Sequence, residues 1–440
     1  MSALARYFHS QGYEVAGYDK TPSPLTDKLQ EEGITVSFVD EIAAVDTKYI
    51  NNKAGAMVVY TPAIPQNNVI LNFFRDEKYM LAKRAEVLGI VTKQTTNLSV
   101  AGTHGKTTTS SMVATILQHS KKQFSAFLGG ISTNLGSNYF YQKGKSEEHL
   151  SITEADEFDR SFLHLSPDYT VITSTDADHL DIYGKKEDLE KSYVDFSELV
   201  LESTHRFYAK EFAHNIDGIS YSASGSDADY YAVVQSKSGK GTHFSIANTV
   251  GESTIEDLYL NIPGEHNLEN AIGATLMTLK AGIPLEAIRQ GLANFKGIKR
   301  RFEYVLETDR ITYIDDYAHH PSELRAIISS VRDLYPTKKI TAVFQPHLFS
   351  RTQDFMAEFA HELSQVDELL LVPVYPAREL PIDGVTSEAV LAQMTLSNAK
   401  CVAKENILTE LKNKDIEVLL TLGAGDIDRL VQPIKEYYGG

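Results

Sequence analysis

Apolar spacing changes abruptly near residue 102. Leu98-Ser99-Val100-Ala101 is a short apolar stretch, whereas Met112, Val113, Ile116 and Leu117 recur at helical intervals, so a buried strand is expected to run through a turn into a helix. Upstream, residues 1–10 read as a helix with Leu4, Ala5 and Phe8 on one face; Gly12 ends it, and 13–17 reads as a strand closing on Asp19. A further short strand is expected at 56–60, and others at 150–153 and 170–174. Between 230 and 260 apolar residues alternate around Gly239-Lys240-Gly241, a hairpin pattern. Helices follow at 268–280 and 284–294, the second with Pro284 in its first turn. In the last third, apolar runs at 311–314, 340–344, 369–374 and 418–422 alternate with helical patterns, as in a mostly parallel doubly wound sheet. There is no long-period repeat and no low-complexity tract.

These elements group into an α/β chain of three domains. Residues 1–97 form a Rossmann-like domain and 98–298 a central domain with extra antiparallel strands; 299–440 form a doubly wound, Rossmann-like domain, reached through Lys296-Gly297-Ile298-Lys299-Arg300-Arg301. The opening helix and strand are the second half of a βαβ unit, and the strand and glycine-rich turn expected before them are missing, so the first domain is expected to be truncated. Asp19 fits two roles from position alone, a ribose-binding acid or an ordinary strand-end turn.

Composition narrows the class. A chain of 440 residues suffices for two to four domains. Asp plus Glu outnumber Lys plus Arg by 59 to 42 and no basic stripe appears, which argues against nucleic acid as a ligand. The single cysteine, Cys401, permits no intrachain disulfide and fits a reducing compartment. No run reaches membrane-spanning length and the first residues lack a signal-peptide layout. A cytoplasmic protein, monomer or homodimer, without membrane insertion is expected.

The turn after 98–101 carries the chemistry: Gly102, Thr103, His104, Gly105, Lys106, Thr107, Thr108. Glycines let successive N–H groups point at phosphate oxygens, and the helix N-terminus adds partial positive charge. Lys106 would reach the outer phosphates of ATP or GTP, and the Thr107 hydroxyl would ligate Mg2+. The usual spacing asks for a first glycine at the position of Val100, so a shortened loop turning at Gly102 is implied. Strand 150–153 ends in Glu154-Ala155-Asp156-Glu157, and strand 170–174 leads to Asp176-Ala177-Asp178-His179. If both lie beside the loop strand, Glu154 and His179 share a rim with Lys106 and Thr107 and can hold magnesium there. Downstream, Asp315-Asp316-Tyr317-Ala318-His319-His320-Pro321, Gln345-Pro346-His347, Tyr375-Pro376-Ala377-Arg378 and Gly423-Ala424-Gly425-Asp426 all fall just past strand ends. One such cluster is ordinarily a helix cap or a solvated charge; four on one edge point to a binding rim.

Together with Pro263-Gly264-Glu265-His266-Asn267 and Arg300-Arg301-Phe302, these motifs resemble the Mur ligases along nearly the whole chain. The resemblance implies a UDP-sugar domain, a central P-loop ATPase-like domain, and a last domain that closes over ATP and brings the amino acid. The closest likeness is to members that use ATP and Mg2+ to join L-alanine to the lactyl carboxylate of UDP-N-acetylmuramate through an acyl phosphate. By motif position it assigns Lys106 to the γ-phosphoryl group, Thr107 and Glu154 to one magnesium and His179 to a second. It places His266, Asn267 and Asn270 near adenine, Arg301 at the γ-phosphate, Asp316 at the ribose, and His319, His320, His347, Arg351 and Arg378 at the amino-acid end. Two departures stand out: the missing first turn, and Leu348 where the family often has Arg after Gln-Pro-His. Rival readings are a ligase recycling a preformed peptide onto the same sugar, a kinase, and a non-enzymatic UDP-sugar- or partner-binding protein.

Overall fold

The structure, a computed structural model, describes residues 1–62, 64–144, 148–176, 183–238, 240–249, 254–377 and 379–439. It divides into two compact units, Met1–Lys296 and Gly297–Gly440. The division falls inside the expected linker.

The first unit is organised by a ten-stranded sheet. Its central strand, Thr96–Ala101, pairs in parallel with His149–Glu154 on one side and Tyr169–Ile172 on the other. Leu98, Val100 and Ala101 are fully buried, which is why this segment lacks the alternation of a half-exposed strand. Gln123–Phe127 extends the parallel run on one side, and Arg206–Ala209, Ile219–Ser222 and Tyr230–Lys237 extend it on the other. Antiparallel strands close both edges, Tyr139–Gln142 at one and the expected hairpin strands Thr242–Asn248 and Ile255–Leu260 at the other. Helix Lys106–Ser120 packs against Glu265–Lys280 and Leu285–Ala293. Gly291 lets Leu285–Ala293 approach Lys106–Ser120 closely, since a Cβ there would lie 2.5 Å from Ile116 Cα. Pro284 precedes the last of these helices as its N-cap rather than lying in its first turn.

Residues before Thr96 form two separate parallel pairs, Ala16–Tyr18 with Thr35–Ser37 and Met57–Tyr60 with Met80–Lys83. One expectation is extended here and one corrected. Helix Ser2–Ser10 turns the expected Leu4 inward, with Phe8 packed against the same core and Ala5 against a second cluster; Ser2 and Arg6 are buried as well, because the Arg6 guanidinium pairs with Glu32 at 2.6 Å and donates to Asn138 Oδ1 at 2.6 Å. The following strand starts at Ala16 instead of Tyr13: Gly12 turns at φ +85° and the Tyr13 ring folds back on Phe8 at 5.5 Å.

The second unit is a six-stranded sheet in the order Glu303–Glu307, Thr312–Asp316, Val418–Leu422, Ile340–Phe344, Glu368–Leu371, Ala399–Cys401. Only the first pair is antiparallel. Ile314, Ala342, Phe344 and Leu420 face one layer of helices with Leu324, Ile328 and Phe359. Tyr313, Val343, Leu370 and Leu419 face the other with Ile407, Leu411 and Ile434. Alternate residues thus enter two cores, the requirement of a doubly wound sheet. The strand expected over 369–374 stops at Leu371 because Pro373 cannot donate to a ladder. No helix among the described residues is long and apolar enough to cross a membrane.

Candidate active site

Two glycines shape the loop. Gly102 at φ +136° and Gly105 at φ +81° hold backbone conformations that side-chain-bearing residues rarely adopt, and Gly105 opens the helix Lys106–Ser120. The segment after Tyr169–Ile172 braces the turn. Thr173 donates to Ala101 O at 3.1 Å and to His104 O, His104 N donates to Ser174 Oγ at 2.9 Å, and Thr103 N donates to Ser174 O at 3.1 Å. A Cβ on Gly102 would sit 2.1 Å from Thr173 Oγ1. A short loop suffices because the neighbouring strand, not a longer glycine-rich arc, fixes its curvature.

Three expected residues meet at the head of this helix. Thr107 Oγ1 donates to Glu154 Oε1 at 2.9 Å, and the other carboxylate oxygen accepts from Gly129 N at 2.8 Å. Lys106 lies one residue away and turns its ammonium toward Glu157, 2.9 Å off. Glu157 was not anticipated as a partner; the only signal in the sequence is a second acid three positions after Glu154. Burial holds the Glu157 carboxyl above the usual carboxylate range, although the Lys106 ammonium opposes it. Asn270, on Glu265–Lys280, reaches the same turn, its Oδ1 lying 2.6 Å from where a Gly105 Cβ would be. Asn267 instead donates to Pro263 O at 2.6 Å, and His266 is exposed. His179 lies outside the described residues.

The donors present suit magnesium. Among the described residues no three His, Cys, Asp or Glu converge on a metal position, but magnesium commonly takes one or two protein oxygens and completes its shell with phosphates and water. The Thr107 hydroxyl and the Glu154 carboxylate are such a pair of hard oxygen donors.

In the second unit the expected residues sit past the carboxyl ends of the parallel strands. Asp316 accepts from Phe302 N at 2.6 Å and Ala318 N at 2.8 Å. Burial pushes its carboxyl up to about 6 despite those bonds and the neighbouring Arg301 charge. Arg301 is exposed, whereas its neighbour Arg300 pairs with the fully buried Asp315 at 3.2 Å and donates to Gly423 O at 2.5 Å. His347 stacks on Tyr375 at 5.8 Å and meets His319 edge-on at 5.9 Å. Burial first, then the His319 and Arg351 charges, pull its imidazole down to about 4. Its Nδ1 is buried without a hydrogen-bond partner among the described residues. His320 caps the helix Pro321–Leu334, with Nδ1 2.9 Å from Ser322 Oγ. Arg351 lies on helix Phe349–Asp354; Leu348, which caps that helix, takes φ +71° and donates its N–H to Tyr375 O at 2.9 Å. Arg378 is outside the described residues.

Comparison with known proteins adds three family matches: the Mur ligase family catalytic domain over residues 1–96, the Mur ligase middle domain over 100–278, and the Mur ligase glutamate ligase domain over 300–427. The chain is 47% identical over 436 residues to the UDP-N-acetylmuramate–L-alanine ligase of Flavobacterium johnsoniae, covering 99% of this chain and 95% of the relative. It is 45% identical over 446 residues to the enzyme of the same name from Porphyromonas gingivalis, covering 99% and 96%. Among solved structures, UDP-N-acetylmuramate-alanine ligase from Thermotoga maritima superposes with a TM-score of 0.82 at 26% identity, over 100% of this chain and 96% of that one. A murein peptide ligase from Psychrobacter arcticus shares the fold at a TM-score of 0.70 and 20% identity, over 100% and 96%.

Proposed function

The chain belongs to the Mur ligase family, and from that membership we propose that it is an ATP-dependent ligase joining L-alanine to the lactyl carboxylate of UDP-N-acetylmuramate, a cytoplasmic step of peptidoglycan precursor synthesis. One observation carries this reading: Lys106, Thr107 and Glu154 gathered at the head of one helix, in a chain alike along its length to alanine-adding ligases.

A carboxylate resists attack by an amine because its oxygens are poor leaving groups. Transfer of the γ-phosphoryl group to a lactyl oxygen releases ADP and leaves an acyl phosphate. The free amine of alanine then attacks the carbonyl carbon, and the tetrahedral intermediate collapses with loss of phosphate and a proton to give the amide. Lys106 offsets the charge that moves onto the γ-phosphoryl oxygens, an effect commonly worth several kcal/mol. Thr107 and Glu154 would hold one Mg2+ and His179 a second; bound magnesium supplies positive charge against the phosphates. Asn270, with Asn267 and His266, is assigned to the adenosine end. In the second unit, Arg351 and Arg378 are assigned to the amino-acid carboxylate, which a guanidinium grips through two parallel bonds, and His319, His320 and His347 to the rest of the amino-acid end.

The test is ADP and phosphate release with UDP-N-acetylmuramate and Mg2+, comparing L-alanine, glycine, L-serine and the tripeptide. Release driven best by L-alanine is expected. Preference for the tripeptide points instead to a peptide-recycling ligase, ADP without free phosphate to a kinase, and no amine-dependent turnover to a binding protein.

A further inference from the structure

Lys106 carries three N–H donors, and each has a protein acceptor. The ammonium donates to the carbonyl oxygens of Gly102 and, at 3.2 Å, Thr103, and it lies 2.9 Å from Glu157 Oε1 and 2.9 Å from Oε2. It is turned onto its own loop, with no donor left for a phosphate. Glu157 is 2% exposed, and its surroundings hold it still. Asp156 on one side pairs with Arg84 at 2.9 Å, and Asp159 on the other pairs with Lys83 at 2.7 Å. The Tyr183 hydroxyl donates to Glu157 O, and the chain leaves through two consecutive left-handed residues, Asp159 at φ +55° and Arg160 at φ +53°. The backbone that carries the carboxylate is therefore anchored on both sides. The lysine ammonium, on a flexible four-carbon stem with three rotatable donors, can exchange one acceptor for another.

We propose that Glu157 is a positioning residue for the phosphate-binding lysine: it holds Lys106 folded onto the loop carbonyls in the nucleotide-free protein and gives it up when the phosphates of ATP compete for the ammonium. The inference rests on the nucleotide-binding reading above and adds to it that the loop is held by its own counter-charge before ATP arrives. Two consequences follow. The empty loop keeps its lysine ordered rather than free in water, and ATP affinity is set partly by the strength of the contact it must displace.

The experiment is a double-mutant cycle on the full chain, with binding of a non-hydrolysable ATP analogue plus Mg2+ read by calorimetry. Glu157→Gln should tighten binding at least about fivefold in the wild-type background and less than about twofold in a Lys106→Ala background, the difference isolating the lysine–glutamate contact. Glu157→Asp, which keeps the charge but retracts it, should fall between wild type and Glu157→Gln. Equal effects in both backgrounds would reduce Glu157 to a general field on the anion, and weaker binding by Glu157→Gln would make it a scaffold residue; either result overturns the proposal while leaving nucleotide binding intact. Failure of the folded wild-type chain to bind the analogue overturns the nucleotide reading and this inference together. Should Glu157→Gln not fold, crystals of the wild-type chain with and without the analogue decide the matter. Lys106 should contact Glu157 only without it, and a lysine still on Glu157 beside bound phosphates overturns the proposal.

Discussion

Glu269 is 6% exposed; its Oε2 accepts from Ala223 N at 2.5 Å, and Oε1 has no hydrogen-bond partner among the described residues. Burial, reinforced by Glu211 and Glu265, pushes its carboxyl from 4.5 up to about 7. The folded protein therefore holds this proton where the unfolded chain has lost it, so the contribution of Glu269 to stability falls as pH rises through that window. Glu269→Gln should gain about 1–3 kcal/mol relative to wild type between pH 4.5 and 8. Parallel denaturation curves at the two pH values would remove Glu269 as a source of pH sensitivity. Lys106→Ala should abolish phosphate release, and by stripping the ammonium from a buried carboxylate it should also cost about 1–3 kcal/mol of stability in urea titrations. An unshifted urea midpoint would mean that the Lys106–Glu157 contact contributes little to the fold. At this scale the sequence is legible where a motif ties residue type to spacing, as with Lys106, Thr107 and Glu154. Glu157 and Thr173 are not legible in this way. Their roles come from strand neighbours about 50 and 70 positions away from the loop, and no local pattern encodes that pairing.

Among the elements, the turn after Gln123–Phe127 bears directly on the carboxylate beside Thr107. A Cβ on Gly129 would stand 2.3 Å from Glu154 Oε1, so Gly129→Ala must displace that carboxylate while leaving the buried sheet untouched. We expect a several-fold rise in the magnesium concentration giving half-maximal rate, with thermal stability nearly unchanged; a magnesium titration that overlays the wild type would detach Glu154 from the metal. The long buried strands were readable because a parallel interior demands apolar residues on both faces. The strands 340–344 and 418–422 were located to the residue. The edge strands of the second sheet were not. Ala399–Cys401 is three residues long and Glu303–Glu307 begins and ends in glutamate, so neither carries a periodicity that outweighs ordinary loop composition. Helix Ser2–Ser10 was found with Leu4 inward, but the burial of Arg6 was missed, since an ion pair draws it inward against its hydropathy.

For the molecule as a whole, each sheet carries its own apolar interior, and in the second unit one arginine ties distant segments together. Arg300 joins the residues just after the division to Asp315, Asp428 and Gly423 O. Arg300→Ala should leave Asp315 buried without its cation and cost about 3 kcal/mol, read by hydrogen exchange as lost protection across the six-stranded sheet; full protection in the variant would show the network to be dispensable.

The order of strands in the first unit has a consequence for the chain while it is being made. Thr96–Ala101 emerges from the ribosome long before either of its partners, His149–Glu154 and Tyr169–Ile172, and Asn270 comes later still. Sequence-distant pairing of this kind delays assembly. The loop after Thr96–Ala101 therefore has both its brace from Thr173 and Ser174 and the approach of Asn270 only after translation has passed helix Glu265–Lys280. A lesion in that late helix would leave well over half the protein synthesised around an open, apolar-lined sheet exposed to chaperones and proteases.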